Sequence, residues 1–420
     1  MLTARFPLDT VEQVLFETER MSQRERDLPA HVMVYYAIAL ALYAEVSTRE
    51  VLRCLLEGVR WLGEPGTVAE PAGPSGISQA RTRLGAAPLE ALYRAVVQPV
   101  ATRTTPGAWY RDWRVTSLDG TTLDVADTAA NRDAFGRPAS ARGVNATGAF
   151  PQLRLVGLVE TGTHVLCSAQ LGAYATGDVT LAAAVVPTLT PEMLCLADRG
   201  FVGFALWQQA AATGAALLWR VKANLTLPVE TRYADGSCRS ALRWNSQCRS
   251  VDRTPIPVRV IEYTLPGLAE AATRYRLITT ILTPDHAPAV ELAARYYERW
   301  EIEIAFDEFK THLRDARCVL RSKTPELVRQ EAWEFRHEHF AIRALMHEAA
   351  LGARPHPRDP DTLSFTHALR VTRRTLPHVA ALPPSGRGTL APGAPARAAR
   401  GVRALQPRSP RAAEGQTDDE

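Results

Sequence analysis

At Pro106-Gly107 the apolar spacing of this 420-residue chain changes period, and that change limits what the chain can become. Before it, Val11 to Glu19, Ala30 to Glu45 and Val51 to Trp61 repeat apolar residues every three to four positions, the period of a helix packed on one face. Ser47-Thr48-Arg49-Glu50 is a capping box, with Ser47 as N-cap and Glu50 reaching back. A Gly/Pro loop from Gly63 to Gly76 precedes another helical stretch at Ser78-Gln79-Ala80-Arg81-Thr82-Arg83-Leu84-Gly85. After Pro106 the runs are short and strand-like. Trp113 to Val125 contains a strand ending at Asp119-Gly120. Gln152 to Glu160 and His164 to Leu171 form a hairpin turning at Thr161-Gly162-Thr163, and Met193 to Asp198 is a buried-type strand ending on an acid. Helical runs at Leu181 to Val186 and Phe204 to Ala212 alternate with these strands, and Ala216 to Val221 is a further strand. Leu227 to Thr280 is β-like with a turn at Asp235-Gly236, and Pro288 to Leu313 is helical with its proline at the start. Strands alternating with helices behind a helical front segment describe an α/β chain.

Length alone favours two to three domains of about 150 residues. Hydrophobic residues are 46% and charged residues 22% of the chain, enough for a sizeable core, which excludes a mostly disordered chain, a collagen-like fibre and a small disulfide scaffold. The formal charge of +4 argues only weakly for a polyanionic partner. Six scattered cysteines contain no C-x-x-C pair, so free thiols in a reducing compartment are expected. The N-terminus lacks a signal pattern, and the longest apolar run, Val32 to Ala44, is too short to cross a bilayer. These features predict a cytoplasmic protein. Residues 351 to 411 carry 11 arginines against two acids, and from about residue 383 the chain reads as a solvated tail.

Several chemistries are missing: no phosphate loop, no nucleophile elbow and no H-E-x-x-H motif. His337-Glu338-His339 and His347 lie in a helical stretch without zinc-ligand spacing and read as core or solvated histidines. The informative residues are acids. Asp119 and Asp198 each close a predicted strand before a Gly-containing turn. Carboxylates at the ends of adjacent strands can converge on one cation, although either aspartate alone serves equally well as a turn or cap residue. On the helix from Ala294 to Thr311, Tyr296, Arg299, Glu303 and Lys310 fall at roughly 0°, 300°, 340° and 320°, inside one 60° sector. Ile302, Ala305, Phe306 and Phe309 form a separate apolar stripe. An exposed helix with i,i+4 ion pairs explains this pattern. So does a metal-assisted phosphate site, with the carboxylate on the metal and the cations on phosphate oxygens.

The segment Tyr296-Tyr-Glu-Arg-Trp-Glu-Ile-Glu303-Ile-Ala-Phe-Asp-Glu-Phe-Lys310 resembles the "Y-x-x-R-W-x-I-E-x-x-F-x-x-x-K" signature of the insertion-sequence-four family of DDE transposases. Leu118-Asp119-Gly120-Thr121-Thr122-Leu123 resembles that family's first-aspartate strand, and Ala197-Asp198-Arg199-Gly200-Phe201 its second-aspartate block. Arg5-Phe6-Pro7, the segment from Ser78 to Gly85 and Arg321-Ser322-Lys323-Thr324-Pro325 are also similar, so the likeness spans roughly residues 4 to 375. Beyond about residue 380 it stops.

The resemblance implies an α/β fold whose catalytic core is ribonuclease-H-like, a mixed sheet flanked by helices, with Asp119 on its first strand and Asp198 on its fourth. It divides the chain into a helical DNA-binding domain (1–105), the first part of the core (106–226), a β-rich insertion (227–287), the rest of the core with the signature helix (288–352), and a basic Pro/Ala/Arg-rich tail (353–420). The 104 residues between Asp198 and Glu303 leave room for that insertion. Asp119, Asp198 and Glu303 are then the catalytic residues and the ligands of two Mg²⁺ ions, with Mn²⁺ as substitute. The expected reaction is cleavage of double-stranded DNA at the element's terminal inverted repeats, followed by attack of the freed 3′-OH on target DNA. Tyr296, Arg299 and Lys310 are expected to handle the DNA end, Arg81 and Arg83 to contact DNA from the N-terminal helices, and the protein to act as a homodimer on paired ends. Trp244 is a candidate either for stacking on a displaced base or for packing within the β-rich region. A hydrolytic nuclease on the same core and a non-catalytic DNA-binding derivative are the rival readings.

Overall fold

The computed structural model describes residues 2–23, 28–43, 46–59, 73–138, 150–244, 253–264, 274–312, 319–353 and 356–379. Six helices open the chain: α1 (Leu2–Arg5), α2 (Leu8–Glu17), α3 (Ala30–Leu42), α4 (Thr48–Val59), α5 (Pro74–Leu84) and α6 (Ala87–Val96). Ser47 caps α4 as expected, its Oγ accepting from the Glu50 N–H at 3.2 Å, while the Glu50 carboxylate accepts from Arg53 Nε at 2.9 Å. α3 is apolar on all sides and correspondingly buried, with Val32 to Leu42 all inside.

The middle of the chain builds a ten-stranded sheet among the described residues. Its strands are β1 (Trp109–Tyr110), β2 (Trp113–Asp124), β3 (Gln152–Glu160), β4 (Val165–Ala173), β5 (Met193–Ala197), β6 (Ala216–Arg220), β7 (Thr231–Arg232), β8 (Cys238–Leu242), β9 (Ile256–Thr264) and β10 (Arg274–Thr279). The spatial order is β4-β3-β2-β5-β6-β10-β9-β8-β7, with β1 against β2. β3 runs antiparallel to β2 and β4, whereas β5 and β6 run parallel to β2. β10 adds antiparallel to β6, and the remaining strands follow antiparallel. The β-rich residues 227–287 are therefore hydrogen-bonded into the main sheet through β10. Gly236, at φ +83°, makes the predicted turn between β7 and β8.

Four helices belong to the sheet: α7 (Ala129–Phe135), α8 (Asp178–Val185), α9 (Phe204–Ala212) and α10 (Ala289–Tyr297). They are followed by α11 (Glu301–Asp307), α12 (Pro325–Leu351) and α13 (Phe365–Val379). One face of the sheet packs Leu118, Val156, Cys195, Ala197, Leu217 and Trp219 under α8 and α9. The other packs Leu194, Leu196, Leu218 and Leu277 under α10, and Leu155, Val159 and Leu166 under α11. Alternation of side chains along each strand makes the two faces distinct.

α12 is the spine of the molecule. Trp333, Phe340, Ala341 and Ala344 share a core with α2, α3, α5 and α6, while Phe335, Ile342 and Met346 share another with α7 and α13. The N-terminal helices thus lean on an element more than 200 residues away, and the boundary drawn near residue 105 crosses a common core. His337, His339 and His347 are buried in this spine, as core histidines; His337 Nδ1 lies 2.8 Å from the Trp333 carbonyl. The tail begins in order too, since Phe365, Ala368 and Leu369 of α13 are buried. The stretch from about residue 383, read as solvated, lies outside the described residues.

Candidate active site

β2 and β5 pair in parallel from Arg114–Met193 to Leu118–Ala197. β5 stops there, so Asp198 is the first residue past its end and Asp119 is its neighbour in register. The expectation that β2 itself ends at Asp119-Gly120 is corrected: β2 continues to Asp124, paired with β3 alone. What ends at this level is the partner strand, and the loss of pairing on that side frees both carboxylates. Each lies two residues beyond a side chain of the opposite face from Leu118 and Ala197, Asp119 after Ser117 and Asp198 after Leu196, so both emerge on the face covered by α10 and α11.

Each aspartate is held by the backbone N–H of a glycine just after it. Gly120 N–H donates to Asp119 Oδ1 at 2.7 Å, and Gly200 N–H donates to Asp198 Oδ1 at 2.8 Å. A Cβ at Gly120 would lie 2.8 Å from Asp178 Oδ1, so a larger residue there would push into the carboxylate that pairs with Arg154.

The signature segment crosses above. It is not the uniform α-helix expected from its spacing: a 3-10 turn at Glu298–Trp300 joins α10 to α11, and a π-turn follows at Glu308–His312. Arg299 reaches down between the acids, donating from Nη1 to Asp119 Oδ2 at 2.9 Å and from Nη2 to Glu303 Oε1 at 3.1 Å. Tyr296 is buried, and its hydroxyl donates to the Ala197 carbonyl at 3.4 Å, at the end of β5. Burial pushes this phenol's pKa up, which Arg299 and Arg220 oppose. Glu303 is exposed, and Lys310 is exposed in the π-turn. Burial raises the Asp119 pKa to about 6, against the pull of the Gly120 N–H and Arg299, and the nearby carboxylates of Asp198 and Glu303 add to the rise. Three carboxylates brought to one place, all oxygen donors, are a donor set suited to a hard divalent cation.

Not every predicted residue gathers here. Arg81 turns inward from α5: its Nε donates to Gln330 Oε1 at 3.1 Å and its Nη2 to Glu334 Oε1 at 3.0 Å, both on α12. Arg83 is exposed on the same helix. Trp244 packs against the sheet core, with the Arg253 guanidinium 4.0 Å from its ring centroid.

Sequence reasoning missed Arg220. β5 and β6 pair up to Ala197–Trp219, so Arg220 is the next residue in the row that holds Asp198. Its guanidinium lies 4.2 Å from the Tyr275 ring centroid, and among the described residues no hydrogen bond or ion pair neutralises it. The available signal was that parallel strands end on the same side, so a polar residue closing Ala216 to Val221 belongs with one closing Met193 to Asp198.

A large mixed sheet flanked by helices, with acids at the end of a parallel strand pair under a cation-bearing helix, names no reaction by itself, and sequence comparison supplies the class. Residues 111–333 match the family profile "Transposase DDE domain", and residues 1–94 match "Insertion element 4 transposase N-terminal". The chain belongs to the DDE transposase family, whose members cleave and transfer DNA and use divalent metal. It is 25% identical over 375 residues to the transposase InsG for insertion sequence element IS4 of Escherichia coli strain K12, covering 88% of this chain and 80% of that one. The putative transposase InsZ of the same strain is 26% identical over 202 residues, covering 48% of this chain and 64% of the relative. Among solved structures, the piggyBac transposase synaptic complex with hairpin DNA aligns with 99% of this chain and 86% of its own at a TM-score of 0.45 and 10% identity.

Proposed function

We propose that this transposase cuts DNA at the terminal inverted repeats of its own element and joins the resulting 3′-OH ends to target DNA, using Asp119, Asp198 and Glu303 to hold two Mg²⁺ ions. The observation that carries this reading is the row Asp119–Asp198 at the end of the β2–β5 pair, tied to Glu303 by the single guanidinium of Arg299. When bound, such ions activate the attacking oxygen and stabilise the leaving one. The strand order β4-β3-β2-β5-β6, with β3 alone reversed, supports a ribonuclease-H-like core in which β2 is the first strand and β5 the fourth. Residues 227–287 are then an insertion that widens this core.

Arg299 holds Asp119 and Glu303 together, and its guanidinium would serve a phosphate oxygen beside the scissile bond when those carboxylates carry the ions. Lys310 and Arg220 flank the same site and bind the phosphates on either side, while Tyr296 fixes the end of β5 through the Ala197 carbonyl. The N-terminal helices, with Arg83 outward, bind the element ends, and two copies act on paired ends in the cytoplasm. Among the described residues no helix is long and apolar enough to cross a membrane.

The test is incubation of purified protein with linear DNA carrying the gene's own flanking sequences, in Mg²⁺, Mn²⁺ or EDTA, beside Asp119→Asn. Metal-dependent nicking at the ends and joined products, both lost in the variant, are expected. Cleavage without joining would reduce the protein to a nuclease. Specific binding with no cleavage in either metal would refute the catalytic assignment.

A further inference from the structure

The segment that carries Glu303 is gripped from its other side by a buried ionic cluster with no part in the proposed chemistry. Glu301, at the start of α11, and Glu308, just past its end, are seven residues apart, about two turns, and so share one side of the segment, turned away from Glu303. Glu301 Oε2 lies 2.5 Å from His164 Nε2, and Asp361 Oδ1, in the turn Pro360–Thr362, lies 3.4 Å from the same nitrogen. Glu308 accepts from Arg343 Nε at 2.8 Å and from Arg343 Nη2 in a shorter contact, and it lies 3.2 Å from His339 Nε2. Its side chain is 7% exposed. Four parts of the molecule therefore meet here: the β3–β4 turn, α11, α12 and the segment before α13.

Two features mark this as more than incidental pairing. His164 sits at φ +57°, a conformation that a residue with a side chain rarely adopts and that its anchored ring sustains. Glu308 is also the first residue of the π-turn, the point at which the helix widens before Lys310. The charges support each other. Arg343, with His164 and His339, keeps the buried Glu308 carboxyl well below its usual range despite burial, and the surrounding carboxylates raise His164 to about 9 against burial and Arg343. His164, Glu301 and Asp361 bring ligand atoms within 4.8 Å of one another, but Arg343 touches the same imidazole and already supplies the cation.

We propose that the Glu308–Arg343 pair, braced by His164–Glu301, is a positioning clamp that sets the rotation of α11 and the onset of the π-turn, and thereby where Glu303 and Lys310 stand relative to Asp119 and Asp198. The clamp rests on the assignment of Glu303 made above. Its residues touch no reacting atom; they act through the helix. A displacement on the order of 1 Å at a catalytic carboxylate lowers rate about 10²-fold, so the clamp registers in turnover before it registers in binding.

The experiment uses the full chain and compares Glu301→Gln with the paired Glu308→Leu/Arg343→Met variant. Replacing both partners of a buried ion pair by apolar residues of similar volume commonly preserves stability, whereas removing one does not. Thermal unfolding, affinity for an element-end duplex in EDTA, and single-turnover cleavage at saturating Mg²⁺ are measured on each, with Glu303→Gln alongside. The clamp predicts near-wild-type unfolding and affinity, with cleavage reduced about 100-fold in the paired variant and about tenfold in Glu301→Gln. A merely structural pair predicts that the paired variant recovers cleavage along with its fold, and wild-type cleavage there overturns the proposal. Should the paired variant fail to fold, Glu301→Gln decides, because that carboxylate is partly exposed and its loss is tolerated; wild-type cleavage by it overturns the clamp. Full activity of Glu303→Gln is a separate failure, that of the catalytic assignment.

Discussion

Removing the Arg81 guanidinium should loosen the seat of the N-terminal helices on α12 and leave direct DNA contact unchanged. In Arg81→Met the Glu334 carboxylate, 2% exposed, loses its ion partner at 3.0 Å and stands alone in the core. Breaking one side of a buried pair costs about 3–5 kcal/mol when the remaining group is charged. Burial already raises Glu334 to about 7 in spite of Arg81. The sign follows. An acid whose folded pKa lies above its unfolded value of about 4.5 takes up a proton on folding between those values, so the folded state loses stability as pH rises through that window. The Arg81→Met deficit is therefore near 3 kcal/mol at pH 8.5 and falls to about 1 kcal/mol at pH 6, where Glu334 is mostly protonated and only hydrogen bonds are lost. In a melting experiment this is a drop of about 5 °C at the higher pH. Arg81→Met/Glu334→Leu should recover most of the loss. The salt dependence of binding to an element-end duplex, which counts phosphate contacts, should match wild type for both. Wild-type melting at pH 8.5 together with a salt slope reduced by about one would refute the inward arrangement and return Arg81 to the DNA.

Asp119→Asn should bind element ends normally but lose cleavage on the order of 10³-fold, read by gel shift and single-turnover nicking, because one charged oxygen donor to the metals is gone. Chelation with EDTA should reproduce that phenotype in the wild type. Arg220→Ala should cut about tenfold more slowly and lower the salt slope by about one, as expected of a lost phosphate contact. Gly162→Ala should destabilise the chain by about 2 kcal/mol in a thermal or urea titration, since its Cβ would stand 2.5 Å from the Ala108 nitrogen, a backbone atom that cannot step aside.

Much of this molecule is written locally. The helix Phe204–Ala212, the strand closing before Asp198, the Asp235-Gly236 turn and the Ser47 cap all follow from periodicity or from one residue's backbone preference, which act over a few positions. The three acids proposed as catalytic could be named for the same reason, because each sits in a short block with its own glycine or cation spacing. Other features depend on residues far apart in the chain. That Asp119 lies beside Asp198 is a matter of strand register, set by pairing across 79 residues, and that Arg220 joins the row follows from the next strand over. Local pattern also missed the break in the signature helix, whose π-turn begins at a glutamate that Arg343 binds from another helix. α12 makes the contrast sharpest. Its Glu-Phe-Arg-His-Glu-His run left core and solvated histidines equally open, and it is buried from Gln330 to His347 because the N-terminal helices close over one side and α7 and α13 over the other. Burying charge is tolerable only where a partner arrives from elsewhere, as Arg81 does for Glu334 and Arg343 for Glu308. The identity of that partner is decided by the tertiary structure, since nothing within a helical turn of either glutamate specifies it.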